Sequence, residues 1–194
     1  MNGFERRTQA KKEAIIKAAL DFFTKRGVTK VSVGEIAAKA HVSPVSIYNY
    51  FGDKNGLAKE VLTTYLDQAI KEYEEILARD ISFSEKLELI MIKKHDAVRE
   101  ISRSHFSAYA WADKTLQQVY KEAATVKAAH IYTKFIELGK KEGVIAEDIP
   151  NEAILAYFFS SVSIMQQPGY LKTSDEYKTG IFRLFLYGLL GNEK

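Results

Sequence analysis

Positions 44–54 read PVSIYNYFGDK, and they bring Val45, Ser46, Tyr48, Asn49, Tyr50 and Lys54 together with Asp53 as the sole carboxylate among them. Read as a helix at 100° per residue with Ile47 at zero, Phe51 falls about 40° away and marks the buried side. Val45 and Asn49 land at about 160° and 200°, opposite that side, with Ser46 and Tyr50 flanking and Tyr48 at the edge. A solvated helix face ordinarily shows Lys, Glu or Gln, and none occurs here. The side chains suit a DNA duplex. Asn can pair with N6 and N7 of adenine, Val can meet a thymine methyl, and Tyr and Ser hydroxyls can donate to phosphates or bases. Lys54, at the first turn of the next helix, adds a cation where backbone amides already attract anions, and Ser32 with the amides after it can serve another phosphate.

Those side chains need elements to hold them, and each boundary carries its own signal. The spacing of Ile15, Ile16, Ala19, Leu20, Phe22 and Phe23 predicts a first helix over about Thr8 to Arg26, stopped by Gly27. Ser32 and Glu35 form an S-x-x-E capping box that opens a second helix, whose Ile36, Ala37 and Ala40 face inward. His41-Val42 makes the turn. Ser43-Pro44 supplies an N-cap and a first-position proline for a short third helix ending near Phe51. Gly52 and Asp53 break it, and Asp53 caps a long fourth helix carrying Leu57, Val61, Tyr65, Ala69, Tyr73 and Ile76/Leu77 on one face.

The segment resembles the TetR family of bacterial transcriptional regulators, whose pattern runs through IIKAALDFFTKRG, then VSVGEIAAKAHVS, then IYNYFGDKNGL, over about 45 residues without a gap. Other helix-turn-helix proteins lack both the preceding helix with its F-x-x-x-G ending and the Y-x-x-F-x-x-K close. The resemblance implies that Pro44, Val45, Ser46, Tyr48, Asn49, Tyr50 and Lys54 contact DNA, with Tyr48 and Lys54 on phosphates. Three positions depart from the family pattern. His41 stands where a turn glycine is common, which asks for a side chain at positive φ. Val45 replaces a frequent glycine and so alters the groove contact, and Gly34 replaces a frequent arginine, which removes one phosphate contact.

The remainder of the chain is expected to be helical as well. Apolar spacings of three and four dominate, and the sequence predicts helices from Ser84 to about Ile101, from Asp113 to Gly143, and over 151–167 and 174–190, with His105 to Ala112 less defined. The fold class expected is therefore all-α, with a helix-turn-helix DNA-binding domain at 1–53 and a larger helical domain at 54–194. The resemblance implies that this second domain binds an effector and forms a dimer. Its last two helices are apolar on nearly every side, so one stripe is left for a partner, and two such helices from each of two chains make a four-helix bundle. For the effector pocket, His95, Tyr109, Trp111, Tyr120 and His130 combine aromatic bulk with polar tips, which points to a small hydrophobic or aromatic molecule.

Charge and composition narrow the alternatives. Residues 1–60 hold eleven Lys and Arg against six Asp and Glu, and the rest hold seventeen against nineteen, as expected when only the front meets a polyanion. No cysteine is present, so disulfides and thiol chemistry are excluded. Histidines at 41, 95, 105 and 130 follow no metal-ligand spacing, and no G-x-S-x-G, phosphate loop or dinucleotide fingerprint occurs. No metal, cofactor or catalytic residue is expected. The N-terminus lacks a signal-peptide core and the longest apolar run contains Arg183, which fits a cytoplasmic protein. The reading is a ligand-responsive regulator, most simply a repressor on a pseudo-palindromic operator. The alternative keeps DNA binding without an effector, as in an architectural protein or one governed by a protein partner.

Overall fold

The computed structural model describes residues 2–90, 92–93, 104–165, 167 and 169–190, and all regular structure among them is helical. By internal packing the chain divides into two compact units. One comprises Met1–Ala69 with Arg99–Ala124, the other Ile70–Val98 with Thr125–Lys194. The expected division after Asp53 instead puts all of the fourth helix and everything beyond it in the second domain. No helix among the described residues is long and apolar enough to cross a membrane.

In the first unit, α1 (Gly3–Arg26) begins five residues before the expected Thr8. The reason is a polar signal outside the apolar stripe. Asn2 accepts from the amides of Phe4 and Glu5 at 3.0 and 2.9 Å, and the Glu5 carboxylate accepts from the Asn2 amide at 2.9 Å. Ile15, Ala19 and Phe23 of α1 are fully buried, and Gly27 at φ 82° ends the helix. α2 (Val33–Lys39) starts on the expected box, where the Glu35 amide donates to the Ser32 hydroxyl and the Ser32 amide donates to Glu35 at 2.8 Å. Arg26 also donates to Glu35, at 2.8 Å, so the end of α1 is pinned to the start of α2.

His41 takes φ 54°, the positive value its place in the turn demands, and is the single non-glycine in that region among the described residues. Ser43 then caps α3 (Pro44–Phe51), whose Ile47 is fully buried. Asp53 accepts from the Gly56 amide at 2.7 Å and starts α4 (Lys54–Ala78). Gly56 is required there, since a Cβ would stand 2.0 Å from the Phe51 carbonyl oxygen. The second unit contributes a helical stretch, α5, over 83–90. Two further helices, α6 (His105–Ala112) and α7 (Lys114–Glu122), complete the first unit, and the buried Phe106 ring lies 5.7 Å from that of Phe23.

The second unit begins with the end of α4 and continues through α5. The start of α5 lies before the expected Ser84, because Ser82 and Glu85 make the capping box: the Ser82 amide donates to Glu85 at 2.9 Å. The continuous helix expected from Asp113 to Gly143 is also corrected. A wide π turn at Ala123–Lys127 separates α7 from α8 (Ala129–Lys141). An extra residue in one turn changes apolar spacing too little to be read from AATVKAA. α9 (Asn151–Met165), a 3₁₀ turn at Tyr170–Lys172 and α10 (Asp175–Leu190) follow. The core here is aromatic, with Phe83, Phe135, Phe158 and Phe185 buried together. Gly139 admits that packing, because a Cβ on it would stand 2.6 Å from Ile145 and 2.9 Å from Phe83.

The Glu35 box makes a stability prediction. Its hydrogen bonds from Ser32, then the Arg26 guanidinium, lower the carboxyl pKa from 4.5 to about 2. A depressed carboxylate pKa stabilises the fold above the ordinary value and loses that contribution as pH falls through the folded value. Glu35→Ala should therefore lower the unfolding temperature at neutral pH, and the gap from wild type should shrink from about pH 4.5 towards pH 2. Thermal unfolding followed by circular dichroism across that range checks it; a gap independent of pH would remove the electrostatic part of the account.

Candidate nucleic-acid interface and apolar cavity

The outward face of α3 is set by what holds its inner face. With Ile47 in the core, Val45 is 63% and Tyr48 51% exposed, and Asn49 and Pro44 are exposed beside them. Ser46 and Tyr50 are half-buried. The Ser46 hydroxyl lies 3.0 Å from that of Ser43, inside the cap of α3. The Tyr50 ring meets Phe51 edge-on at 6.2 Å, and Lys12 of α1 sits over it at 5.7 Å. The centre of the free face is thus Val45, Tyr48 and Asn49, and Ser46 and Tyr50 form its rim. Helical phase alone puts Tyr48 at the edge instead, because the contact that claims Tyr50 comes from α1 and no local periodicity contains it.

The expected phosphate donors differ in readiness. Lys54 is half-buried and donates to the Val31 carbonyl at 3.2 Å, which holds its ammonium between the starts of α2 and α4. The Ser32 hydroxyl already donates to Glu35 at 2.8 Å. A phosphate there would compete with a carboxylate that stays ionised, so Ser32 is the weaker candidate. Elsewhere in this unit Lys25 and Lys39 both pair with Asp21, and Arg26 with Glu35.

Beside α1 the same unit forms a solvent-open, largely apolar cavity of about 410 Å³, lined by Leu20 of α1, Leu62 and Leu66 of α4, and Phe106 and the partly exposed Trp111 of α6 with Tyr120 of α7. Trp111 and Tyr120 have ring centroids 5.1 Å apart, and burial pushes the Tyr120 phenol pKa up. Two hydroxyls at the wall are turned to the backbone: Thr24 donates to Leu20 and Ser107 to Ser104, each at 2.7 Å.

Of the five residues expected in a pocket, this cavity therefore unites Trp111 and Tyr120. Tyr109 is two positions from Trp111, about 200° around the helix, and faces the other way. Its hydroxyl donates to Asn55 at 2.8 Å beside a smaller cavity of about 350 Å³ near Asp53 and Asp113. Burial, then the charges of Asp113 and Asp53, push its pKa up. His130 lies beyond the π turn, in the second unit, 2.5 Å from a Glu74 carboxylate oxygen and exposed. His95 lies outside the described residues. Leu20 reads as core in the sequence, since nothing in the α1 stripe distinguishes a residue on a packed wall from one on a hollow.

Residues 15–61 match the family model of bacterial regulatory proteins, tetR family. The chain is 28% identical over 152 residues to the HTH-type transcriptional repressor KstR2 of Rhodococcus jostii strain RHA1, covering 75% of this chain and 72% of that protein. FadR of Bacillus subtilis, solved in complex with stearoyl-CoA, superposes with a TM-score of 0.62 at 20% identity, covering 91% of this chain and 98% of its own. A putative TetR-family regulator of Mesorhizobium loti reaches 0.66 at 19% identity, with 94% and 96% covered. These structures share the fold.

The geometry separates two kinds of contact on a duplex. Asn49→Ala should relax preference at one base pair, by about 1–3 kcal/mol. Tyr48→Phe and Lys54→Ala should weaken all sequences alike, with Lys54→Ala reducing the salt slope by about one. Fluorescence anisotropy on a set of single-base-pair variants checks this, and a uniform loss from Asn49→Ala would remove it from the base readers.

Proposed function

We infer, for a chain that belongs to the TetR family of bacterial regulatory proteins through residues 15–61, a ligand-responsive repressor of transcription acting in the cytoplasm. The observation that carries this reading is α3: a short, doubly capped helix with its inner face locked by Ile47 and its free face made of Val45, Tyr48 and Asn49. Pro44 opens that helix, Ser46 and Tyr50 flank the free face, and Lys54 and Ser32 offer phosphate contacts.

The effector reading rests on the cavity at Trp111 and Tyr120. Its lining is mostly apolar with a few polar side chains, among them Thr24, Ser107 and Gln117, so it suits a hydrophobic or aromatic molecule. That FadR was solved with stearoyl-CoA supports an apolar effector class without specifying one. Leu20 and Leu62 belong both to the cavity wall and to the packing that supports α3, so a ligand there acts on the helices that carry the DNA face. Release follows if the ligand binds more tightly to the DNA-free arrangement than to the DNA-bound one.

The dimer reading rests on the second unit. On α9 and α10, Ile154, Phe158 and Phe185 point into the core while Tyr157, Leu184 and Tyr187 remain exposed at 38, 66 and 55%. Tyr157 stacks on Phe185 at 5.5 Å and donates to the Leu184 carbonyl at 3.2 Å, so this apolar surface is pre-ordered. A two-fold pairing through about 151–167 and 174–190 would set two copies of α3 roughly 34–36 Å apart over a pseudo-palindrome.

Two kinds of experiment test this. Anisotropy on duplexes tiling the DNA upstream of the protein's own gene, at two salt concentrations, should reveal one tightly bound tile, lost in Tyr48→Ala. Trp111 is the chain's one tryptophan, so its emission reports directly on the cavity. Long-chain acyl and aromatic compounds should shift that emission and, at the same concentrations, release the bound tile. Emission changes without release would leave DNA binding in place and remove the effector role. Leu184→Arg with Tyr187→Glu should give a monomer by sedimentation equilibrium and lower affinity for the tile; an unchanged dimer would place the interface elsewhere.

A further inference from the structure

The first three turns of α1 remain without a role in the reading above. They extend the helix to Gly3, beyond its apolar stripe, and carry Arg6, Arg7, Lys11 and Lys12 against one acid, Glu5. Glu5 is committed to the cap at Asn2, and none of the four cations makes an ion pair with a described residue. Arg6, Arg7 and Lys11 are exposed. Lys12 and Thr8 are half-buried, because this end of α1 lies against α3, where the Lys12 ammonium sits 5.7 Å from the Tyr50 ring centroid. A cation over an aromatic face is held in place at about this distance. Lys12 therefore registers the basic end of α1 to the rim of the α3 face.

We propose that Arg6, Arg7, Lys11 and Lys12 form a second DNA-contact site, which takes the phosphate backbone of the duplex flanking the base pairs met by α3. Four cations without carboxylate partners within two turns repel one another and are stabilised by a polyanion. The charged ends of such Arg and Lys side chains displace condensed counterions from phosphates, so the contact adds affinity and salt dependence without sequence preference. Arg6, the outermost of the four, lies six residues from Lys12, a helical rise of about 9 Å. At 3.4 Å per base pair that reach corresponds to about three base pairs beyond the Tyr50 rim. The site rests on the DNA-binding reading but asks a separate question, which is where the bound duplex ends.

The test uses the full chain and an operator duplex obtained by selection from a random library, made with and without about five flanking base pairs on each side. The triple variant Arg6→Gln, Arg7→Gln, Lys11→Gln leaves the Lys12–Tyr50 contact and the cap intact, and circular dichroism verifies its fold. On the flanked duplex it should bind on the order of tenfold more weakly than wild type, with a salt slope smaller by about one for each phosphate it no longer neutralises. Trimming the flanks should weaken wild type by a similar factor and leave the triple variant almost unaffected. Lys17→Gln, an exposed cation five residues beyond Lys12 on the same helix, should change neither. Equal losses on both duplexes, or an equal loss from Lys17→Gln, would show a generic charge effect and overturn the site. Unchanged DNA binding together with weakened flotation on anionic vesicles would assign the residues to a lipid surface instead. If wild type bound no duplex, the DNA-binding reading itself would fail, an outcome distinct from all of these.

Discussion

Phe23 has no solvent exposure, and two groups of neighbours share it. On one side its helix packs with Ile36 and Ile47, the residues that hold the helix-turn-helix in register. On the other its ring meets Phe106 of α6 at 5.7 Å. Burying a phenylalanine contributes about 1.5–3 kcal/mol, and emptying such a site costs about 3–5 kcal/mol, a large part of the stability of a unit this size. α1 is therefore the common wall of the α3 scaffold and of the cavity at Trp111. Everything attributed to α3 presupposes this packing, since a short helix held by one buried isoleucine has no stability of its own.

How much of this is legible in the sequence depends on the range of the interaction. Caps, turns and stripes are local, so Ser32–Glu35, His41 at positive φ, Ser43-Pro44 and the span of α3 are readable in the residues themselves. Expectation and structure part where the signal is polar or non-local. The Asn2–Glu5 and Ser82–Glu85 boxes lie outside the apolar periodicity that marks the expected starts. The π turn at Ala123–Lys127 hides in a run of small residues. For the expected pocket, residue type is a poor guide and helix phase a better one: two residues apart on α6, Tyr109 and Trp111 cannot line the same space. Tyr50 shows the same limit, because its partner Lys12 is remote in sequence.

Charge in the first unit is sorted by position. Towards the junction of α1 and α2, Lys25 and Lys39 pair with Asp21 and Arg26 with Glu35; the lysines hold the Asp21 carboxyl, and the Ser32 cap and then Arg26 the Glu35 carboxyl, below their ordinary range. Exposed pairs of this kind contribute little energy each. Their consequence is electrostatic: they reduce the positive charge at the back of the unit while Lys54, held on the Val31 carbonyl, stays beside α3. A surface arranged this way orients the unit in the field of a polyanion before any base is read.

The two faces of α6 set a condition on any effector. Trp111 and Phe106 line the cavity, and Tyr109 on the opposite side donates to Asn55, next to Lys54 in the first turn of α4. Motion of α6 in response to a ligand would thus be felt at both α1 and the start of α4. Moving a population from almost wholly bound to almost wholly released takes a differential affinity of about 5.5 kcal/mol. One hydrogen bond contributes about 0.5–1.5 kcal/mol net, so the Tyr109–Asn55 bond alone cannot carry the switch. Apolar burial can, at about 25 cal/mol per Å², if some 200 Å² more of ligand and wall is covered in one arrangement than in the other. A cavity of about 410 Å³ walled by Leu20, Leu62, Leu66 and Phe106 has lining of that order. If a ligand binds in this cavity, the coupling energy would have to come from how tightly α1, α4 and α6 close around it, with the Tyr109–Asn55 bond linking α6 to the start of α4.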